Sequence, residues 1–416
     1  VSALMSGIML KVGIYGIIRV ASFFPQVPVW FGWLVLGLGI VSAVTGIALA
    51  MLQQDLKRLL ACSSIENIGI ICIGLGMALV GLQSNNRLLT VLGLAGAFMH
   101  VLNHALFKPL LFLGSGAIIH ASGTRQINRM GGLYRSLPRT APLFLIGCLA
   151  ICGLPPLNGF VGELFLYFGA FNEGITAPLP FLACVAPLLA LVGGLAVITF
   201  VKLFGSIFLG APRDPAMAHS HEVPAAMLLP MAALAALCML FGVNTPLLLR
   251  LVAPVISHYA MLSPELTVSL AKSVPVGKLG LMNGLLLGLL LLVWLAWRLL
   301  VQRREQLQSE TWGCGYLAPA ARIQYTGSSF AELAGQLFSR QQGNTGQLPG
   351  RSAIFPVEAR FGLQLCERIL DRMIIPLFRR ADWCLAWGRR TQHGHLHLYI
   401  LYIFATLFTL MVWSHL

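Results

Sequence analysis

Long apolar runs, each close to the length of one bilayer crossing, recur from one end of this chain to the other. A membrane-spanning helix needs about 20 mostly apolar residues. Runs of that kind lie at 2–22, 30–51, 60–81, 90–118, 141–174, 180–210, 223–245, 279–301 and 396–415. Only 10% of the 416 residues are charged and 57% are hydrophobic, where a soluble domain carries about 25% charged residues. That balance excludes a water-soluble enzyme. It excludes disorder too, which needs low hydrophobicity and high net charge. Outer-membrane barrels give weak alternating signals rather than long runs. The expected fold is all-α: a polytopic membrane helix bundle of about nine spans, multi-pass in the cell's inner (cytoplasmic) membrane.

The run 141–174 is too long for one straight helix and is interrupted by GLPPLNG at 153–159. Pro155 and Pro156 lack backbone donors, and Gly153 and Gly159 loosen the chain. The expected element is a broken helix with halves near 141–152 and 161–174. Non-helical backbone at membrane depth survives only inside protein or beside a wet cavity, and transporters place ion sites at such breaks. The alternative is a hairpin of two short buried helices.

The net charge is +14. No nucleic-acid module accompanies it, so the excess is read as setting membrane orientation. Lys57, Arg58, Arg125, Arg129, Arg135, Arg139 and Arg213 fall on one side. Arg19, Arg87, Arg250, Lys272 and Lys278 fall on the other, three of them around one longer loop. The first side is expected to be cytoplasmic. Span parity puts the polar segment 302–395, with its twelve Lys+Arg, on that same side. The segment contains TWGCGY at 311–316, which lacks the ending of a phosphate loop, and a Gln/Gly-rich loop near 341–350. An amphipathic run follows, with Gly362, Leu365, Cys366, Ile369, Leu370 and Met373 on one face. It suits a helix on the membrane surface, on a partner subunit or on the protein's own spans. The chain opens at Val1 inside an apolar run, as the C-terminal part of a longer protein would.

Ionisable residues inside the spans narrow the chemistry, because a charge at mid-bilayer costs about 2.5–3.5 kcal/mol even on a lenient scale. Lys11 sits near the middle of its span, where it serves either as a titrating group or as half of a structural ion pair. His100, His104 and Lys108 follow at i, i+4 and i+8, on one helix face and over about 12 Å of depth. Imidazole donates and accepts protons near neutral pH, so the row reads as a proton relay. Pro109 follows and can kink the helix. Interhelical hydrogen bonding is the alternative. Zinc held by His100 and His104 would lack a third ligand nearby. Glu163 lies just past the break, where a carboxyl can hold and release a proton. Glu66 is read as lying near one end of its span, a structural hydrogen bond or a proton acceptor. Lys202 is read as snorkelling from a helix end. The nine cysteines form no CxxC pair and read mostly as small core residues. No nucleotide, metal or nucleophile motif appears, so catalytic, cofactor and metal residues are expected to be absent from this chain.

Four stretches carry a resemblance: VSALMSGIMLKVGIYGIIR, DLKRLLACSSIENIGII, AFMHVLNHALFKPLLFLGSGAI and GLPPLNGFVGELFLYFGAF. Residues 1 to about 250 resemble the antiporter-like proton-pumping subunits of complex I, Mrp-type cation/proton antiporters and membrane-bound hydrogenases. SSIENIG with TWGCGY looks most like the hydrogenase-4 and formate hydrogenlyase branch. The resemblance implies the second half of an inverted-repeat transporter fold, with spans 279–301 and 396–415 as additions. Lys11 matches the family's central lysine, and His100, His104 and Lys108 its polar relay. Glu163 matches its terminal proton-exchanging residue, and Glu66 marks the hydrogenase-like branch. The implied organisation is 1–250 proton-translocating, 251–301 a loop and an additional helix, 302–395 cytoplasmic and 396–416 a terminal span. The implied function is proton translocation in a hydrogenase complex, with nickel–iron and iron–sulfur centres in partner subunits and none in this chain. The implied partners are other membrane and hydrogenase subunits, the bilayer, and protons or Na+. The rivals are a cation/proton antiporter subunit, a complex I subunit, and an anchor that pumps nothing.

Overall fold

A computed structural model describes residues 1–24, 27–176, 180–215, 217, 220–301, 324–329, 345–347, 362–364, 375–388 and 396–414. The chain forms two compact units, Val1–Gly335 and Gln336–Leu416. In the first, α1 (Ser2–Leu4) runs through a π-helical turn at Met5–Met9 into α2 (Leu10–Ala21). Then come α3 (Val29–Leu52), α4 (Leu56–Gln83) and α5 (Arg87–Ser122). The broken pair is α6 (Thr140–Ile151) and α7 (Asn158–Thr176), followed by α8 (Val185–Phe208) and α9 (Ala225–Val243). The unit continues through α10 (Thr245–Ala260), α11 (Pro264–Ala271) and α12 (Val276–Leu300). Among the described residues, seven helices are long and apolar enough to cross a membrane, and the bent pair α10–α11 makes an eighth candidate. The chain is a multi-pass membrane protein.

Small residues set the closest seam. Gly32, Gly39 and Gly46 recur every seven residues on α3, facing α4. A Cβ at Gly39 would sit 2.7 Å from the Ile73 amide nitrogen, and one at Gly76 would sit 2.5 Å from that of Leu36. Without side chains there, the two antiparallel backbones approach as membrane helices do through glycine. Asp55 caps α4 by accepting from the Arg58 amide at 2.9 Å, and Asn86 caps α5 by accepting from that of Leu89 at 3.0 Å. At 36 residues, α5 is about 54 Å long. It is buried along most of its length and touches α4, α6, α7, α9, α10 and α11.

The break is built as its Gly and Pro residues imply. Gly153 adopts the left-handed conformation at φ +61°. Its amide donates to the Ala150 carbonyl and that of Leu154 to Leu149, the double closure of a Schellman turn. A cis peptide joins Pro155 to Pro156, and α7 starts at Asn158, three residues earlier than expected.

Two expectations are corrected. Residues 251–278, read as a loop, contain most of α10 and all of α11, bent by 115°. Pro246, Arg250, Pro254 and His258 interrupt the hydropathy there without stopping the helix. In the second unit, Gly362–Gln364 is a strand paired antiparallel with Thr345–Gln347. The expected helical face therefore does not begin at Gly362, and residues 365–373 and 311–316 lie outside the described residues. Among the described residues these two short strands form the one sheet, and the remaining regular elements are helices. The second unit also contains α13 (Ile375–Gly388) and α14 (Leu396–Ser414). Cys62, Cys148, Cys152 and Cys238 are buried, as core residues would be, whereas Cys184 and Cys384 are exposed.

Candidate functional site

The π-helical turn at Met5–Met9 brings the Ser6 carbonyl under the Lys11 ammonium, which donates to it at 2.8 Å. The same ammonium meets His104 Nδ1 on α5, 93 residues away. Nδ1 must accept there, so the ring proton belongs on Nε2. One turn back along α5, His100 Nε2 lies 3.1 Å from Asn67 Oδ1. The Asn67 amide nitrogen faces the Ser63 carbonyl at 2.8 Å and Glu66 Oε2 at 3.4 Å. That fixes Oδ1 as an acceptor and places the His100 proton on Nε2. One turn forward, Lys108 donates to the Leu60 carbonyl at 2.9 Å and to Ser63 Oγ at 2.5 Å. Ser6 and Ser64 pair at 2.7 Å between α1–α2 and α4.

His100, His104 and Lys108 are wholly buried, Lys11 is half-buried, and Glu66 is 1% exposed. The expected row on α5 is therefore real, but its members reach different neighbours: α2 from His104, and α4 from His100 and Lys108. The Phe107 ring packs edge-on against both imidazoles. Glu66 is corrected from an end position: it lies about 15 Å inside α4, because the helix begins at Leu56, before the apolar run does. Glu66 lies within electrostatic reach of Lys108 and Glu163, and Lys108 within reach of Lys11.

Glu163 is half-buried. Its carboxyl rests against the Cα of Gly153, where a Cβ would lie 2.9 Å from Oε2. Gly162 beside it packs on His100, with a Cβ there 3.1 Å from the His100 amide nitrogen. The six sequence-predicted residues thus gather around α5, from α2 on one flank to the α6–α7 break on the other. Sequence reasoning passed over the neutral polar groups that join them: Ser6, Ser63, Ser64, Asn67, Asn103 and Asn158. Ser63, Ser64 and Asn67 at helical spacing inside an apolar helix were the available signal.

Lys202 is corrected from a snorkelling residue. It is wholly buried, and its ammonium donates to the Met51 and Gln53 carbonyls at 2.6 and 2.8 Å. Among the described residues, no group of three His, Cys, Asp or Glu side chains could hold a metal ion.

Residues 1–185, which include all six, match the transmembrane family described as NADH:quinone oxidoreductase/Mrp antiporter. Over that segment the chain is similar to this family. Over 99% of its length it is 38% identical to hydrogenase-4 component B of Escherichia coli (strain K12), of which it covers 63%. It is 37% identical to formate hydrogenlyase subunit 3 of the same organism, over 61% of this chain and 42% of that protein. Its fold resembles a chain of the membrane-bound sulfane sulfur reductase, an archaeal respiratory membrane complex. That match has a TM-score of 0.64 and 21% identity, covering 99% of this chain and 62% of the other. The chain spans less than two thirds of each of these proteins.

Proposed function

We propose that this chain is a proton-translocating membrane subunit of a hydrogenase of the hydrogenase-4 or formate hydrogenlyase type, in the inner membrane. The contact between Lys11 and His104 carries the reading. It joins a half-buried and a wholly buried titratable group from helices far apart in sequence, and with the Ser6 carbonyl it engages two of the three Lys11 donor positions. A proton on Lys11 can pass to His104, because each imidazole has one nitrogen that accepts and one that donates. Moving that charge changes the field at Lys108, which lies within electrostatic reach of both Lys11 and Glu66. Glu66 in turn feels Glu163, so a shift at one end biases proton occupancy at the other. Redox chemistry belongs to partner subunits carrying nickel–iron and iron–sulfur centres, and this chain supplies the path. The names of the two bacterial relatives support a complex of the hydrogenase type.

The test is Lys11→Met in the full-length protein within its assembled complex. Methionine keeps the length of the side chain and removes its proton. Gradient formation in vesicles should fall by roughly tenfold or more, with the amount of assembled complex unchanged. A normal gradient in assembled mutant vesicles overturns the relay and favours an anchor that pumps nothing.

A further inference from the structure

Four buried polar atoms on the seam between α5 and α7 have no hydrogen-bond partner among the described residues. They are His100 Nδ1, Asn103 Oδ1, Asn158 Nδ2 and Asn158 Oδ1. All three residues are wholly buried. The seam's register is fixed by close contacts: the Asn103 amide nitrogen donates to the Asn158 carbonyl at 2.7 Å, and Gly162 packs on His100. His100 and Asn103 are one turn apart on the α5 face that meets α7. Asn158 opens α7 at the break, and Glu163 follows five residues later.

The chemistry of the four atoms selects their ligand. The Asn103 amide nitrogen is already donating to a carbonyl, so its Oδ1 is an acceptor. His100 carries its proton on Nε2, so its Nδ1 is an acceptor too. The Asn158 amide presents one donor group and one acceptor, whichever way it is turned. A buried polar group left without a partner costs about 1–3 kcal/mol, and water, which both donates and accepts, satisfies such mixed sets with about 2–4 hydrogen bonds each. A sodium ion needs oxygens alone and would be repelled by the Asn158 N–H group.

We propose that Asn103 and Asn158 hold a small water cluster between α5 and the break, which hands protons between His100 and Glu163 and rejects sodium. This rests on the proton-translocating reading and adds the positioning residues and the ion preference that it leaves open.

The test compares Asn158→Leu, Asn158→Ser and Glu163→Gln in the full-length protein within its complex, in vesicles with and without sodium chloride. Leucine keeps the volume of the amide and removes its polar atoms, whereas serine keeps one donor and one acceptor. At matched amounts of assembled complex, proton flux should fall by roughly tenfold in Asn158→Leu and stay within about threefold of wild type in Asn158→Ser. Wild-type flux should not depend on sodium. Asn103→Leu is read in the same way where Asn158→Leu does not assemble. Full flux in the leucine variants while Glu163→Gln is blocked overturns the water cluster and leaves the parent reading standing. Serine failing as badly as leucine overturns it too, because packing rather than hydration then matters. Flux that requires sodium overturns the ion preference. Full flux in Glu163→Gln removes Glu163 from the path and the parent reading with it.

Discussion

An ammonium group inside a helix bundle needs acceptors, and Lys202 finds two at the end of α3. The last carbonyls of a helix have no partner within it, and they carry the negative end of its dipole. Lys202 therefore clamps the corner from which α4 starts, on a helix packed against α3. Lys202→Met removes that charge while keeping the length of the side chain. Each hydrogen bond to a charged group contributes about 1.5–3 kcal/mol, so the thermal midpoint of the purified complex should fall clearly. An unchanged midpoint would show that the clamp is dispensable. Hydropathy placed Lys202 near a helix end, which is correct, but it gives position along a helix and not the neighbours across from it. The same limit hid Asn103 and Asn158, whose meaning comes from a contact between residues 55 apart. Lys11, His100, His104, Lys108, Glu66 and Glu163 were legible because charge inside an apolar run is costly wherever the run packs.

The broken element is held from outside as well as by its own prolines. Glu222, in the connection between α8 and α9, receives the amides of Arg139 at 2.7 Å and Thr140 at 3.2 Å, and the Thr140 hydroxyl at 2.6 Å. It caps the start of α6 across 82 residues. Partial burial pushes its carboxyl up. The hydrogen bonds from the Thr140 hydroxyl and from the amides of Arg139, Thr140 and Val223 outweigh that and hold it below the usual glutamate range. A depressed carboxylate stabilises the fold above its unfolded-state pKa, and the contribution is lost as pH falls through the folded value. Wild type should therefore melt above Glu222→Gln at neutral pH, and the gap should close on acidification below the ordinary glutamate range. A gap that does not change with pH would assign the difference to packing. The sequence announced the break through GLPPLNG but held no sign of this cap, which depends on tertiary proximity. The α10–α11 pair was missed for the opposite reason: Pro254 and Arg250 look like loop residues, yet the helix runs on through both.

At the scale of the whole molecule, a short segment bound to the loop face gives a handle on sidedness. The Gln324 side chain makes a double bond pattern with Ala211, accepting from its amide at 3.1 Å and donating to its carbonyl at 3.0 Å. Arg213 donates to the Tyr325 carbonyl at 2.8 Å, and Asn128 to Ser328 Oγ at 3.2 Å. Residues 324–329 therefore lie on the face that carries Arg125, Arg129, Arg135, Arg139 and Arg213, with Arg129 paired to Asp214 at 2.6 Å. On the positive-inside rule we propose that this face is the cytoplasmic one. The turn between α4 and α5 lies at the opposite end of α5, and Ser84 in it is exposed, as is Ser329. In a background without reactive native cysteines, Ser329→Cys should react with a membrane-impermeant maleimide in inside-out vesicles and stay protected in right-side-out ones. Ser84→Cys should show the reverse. The pair decides more than either alone, because a leaky vesicle labels both and an inverted topology exchanges them. An exchange would put the Arg-rich loops outside. The sidedness of the proposed path from Lys11 to Glu163 would then have to be argued without the charge of those loops.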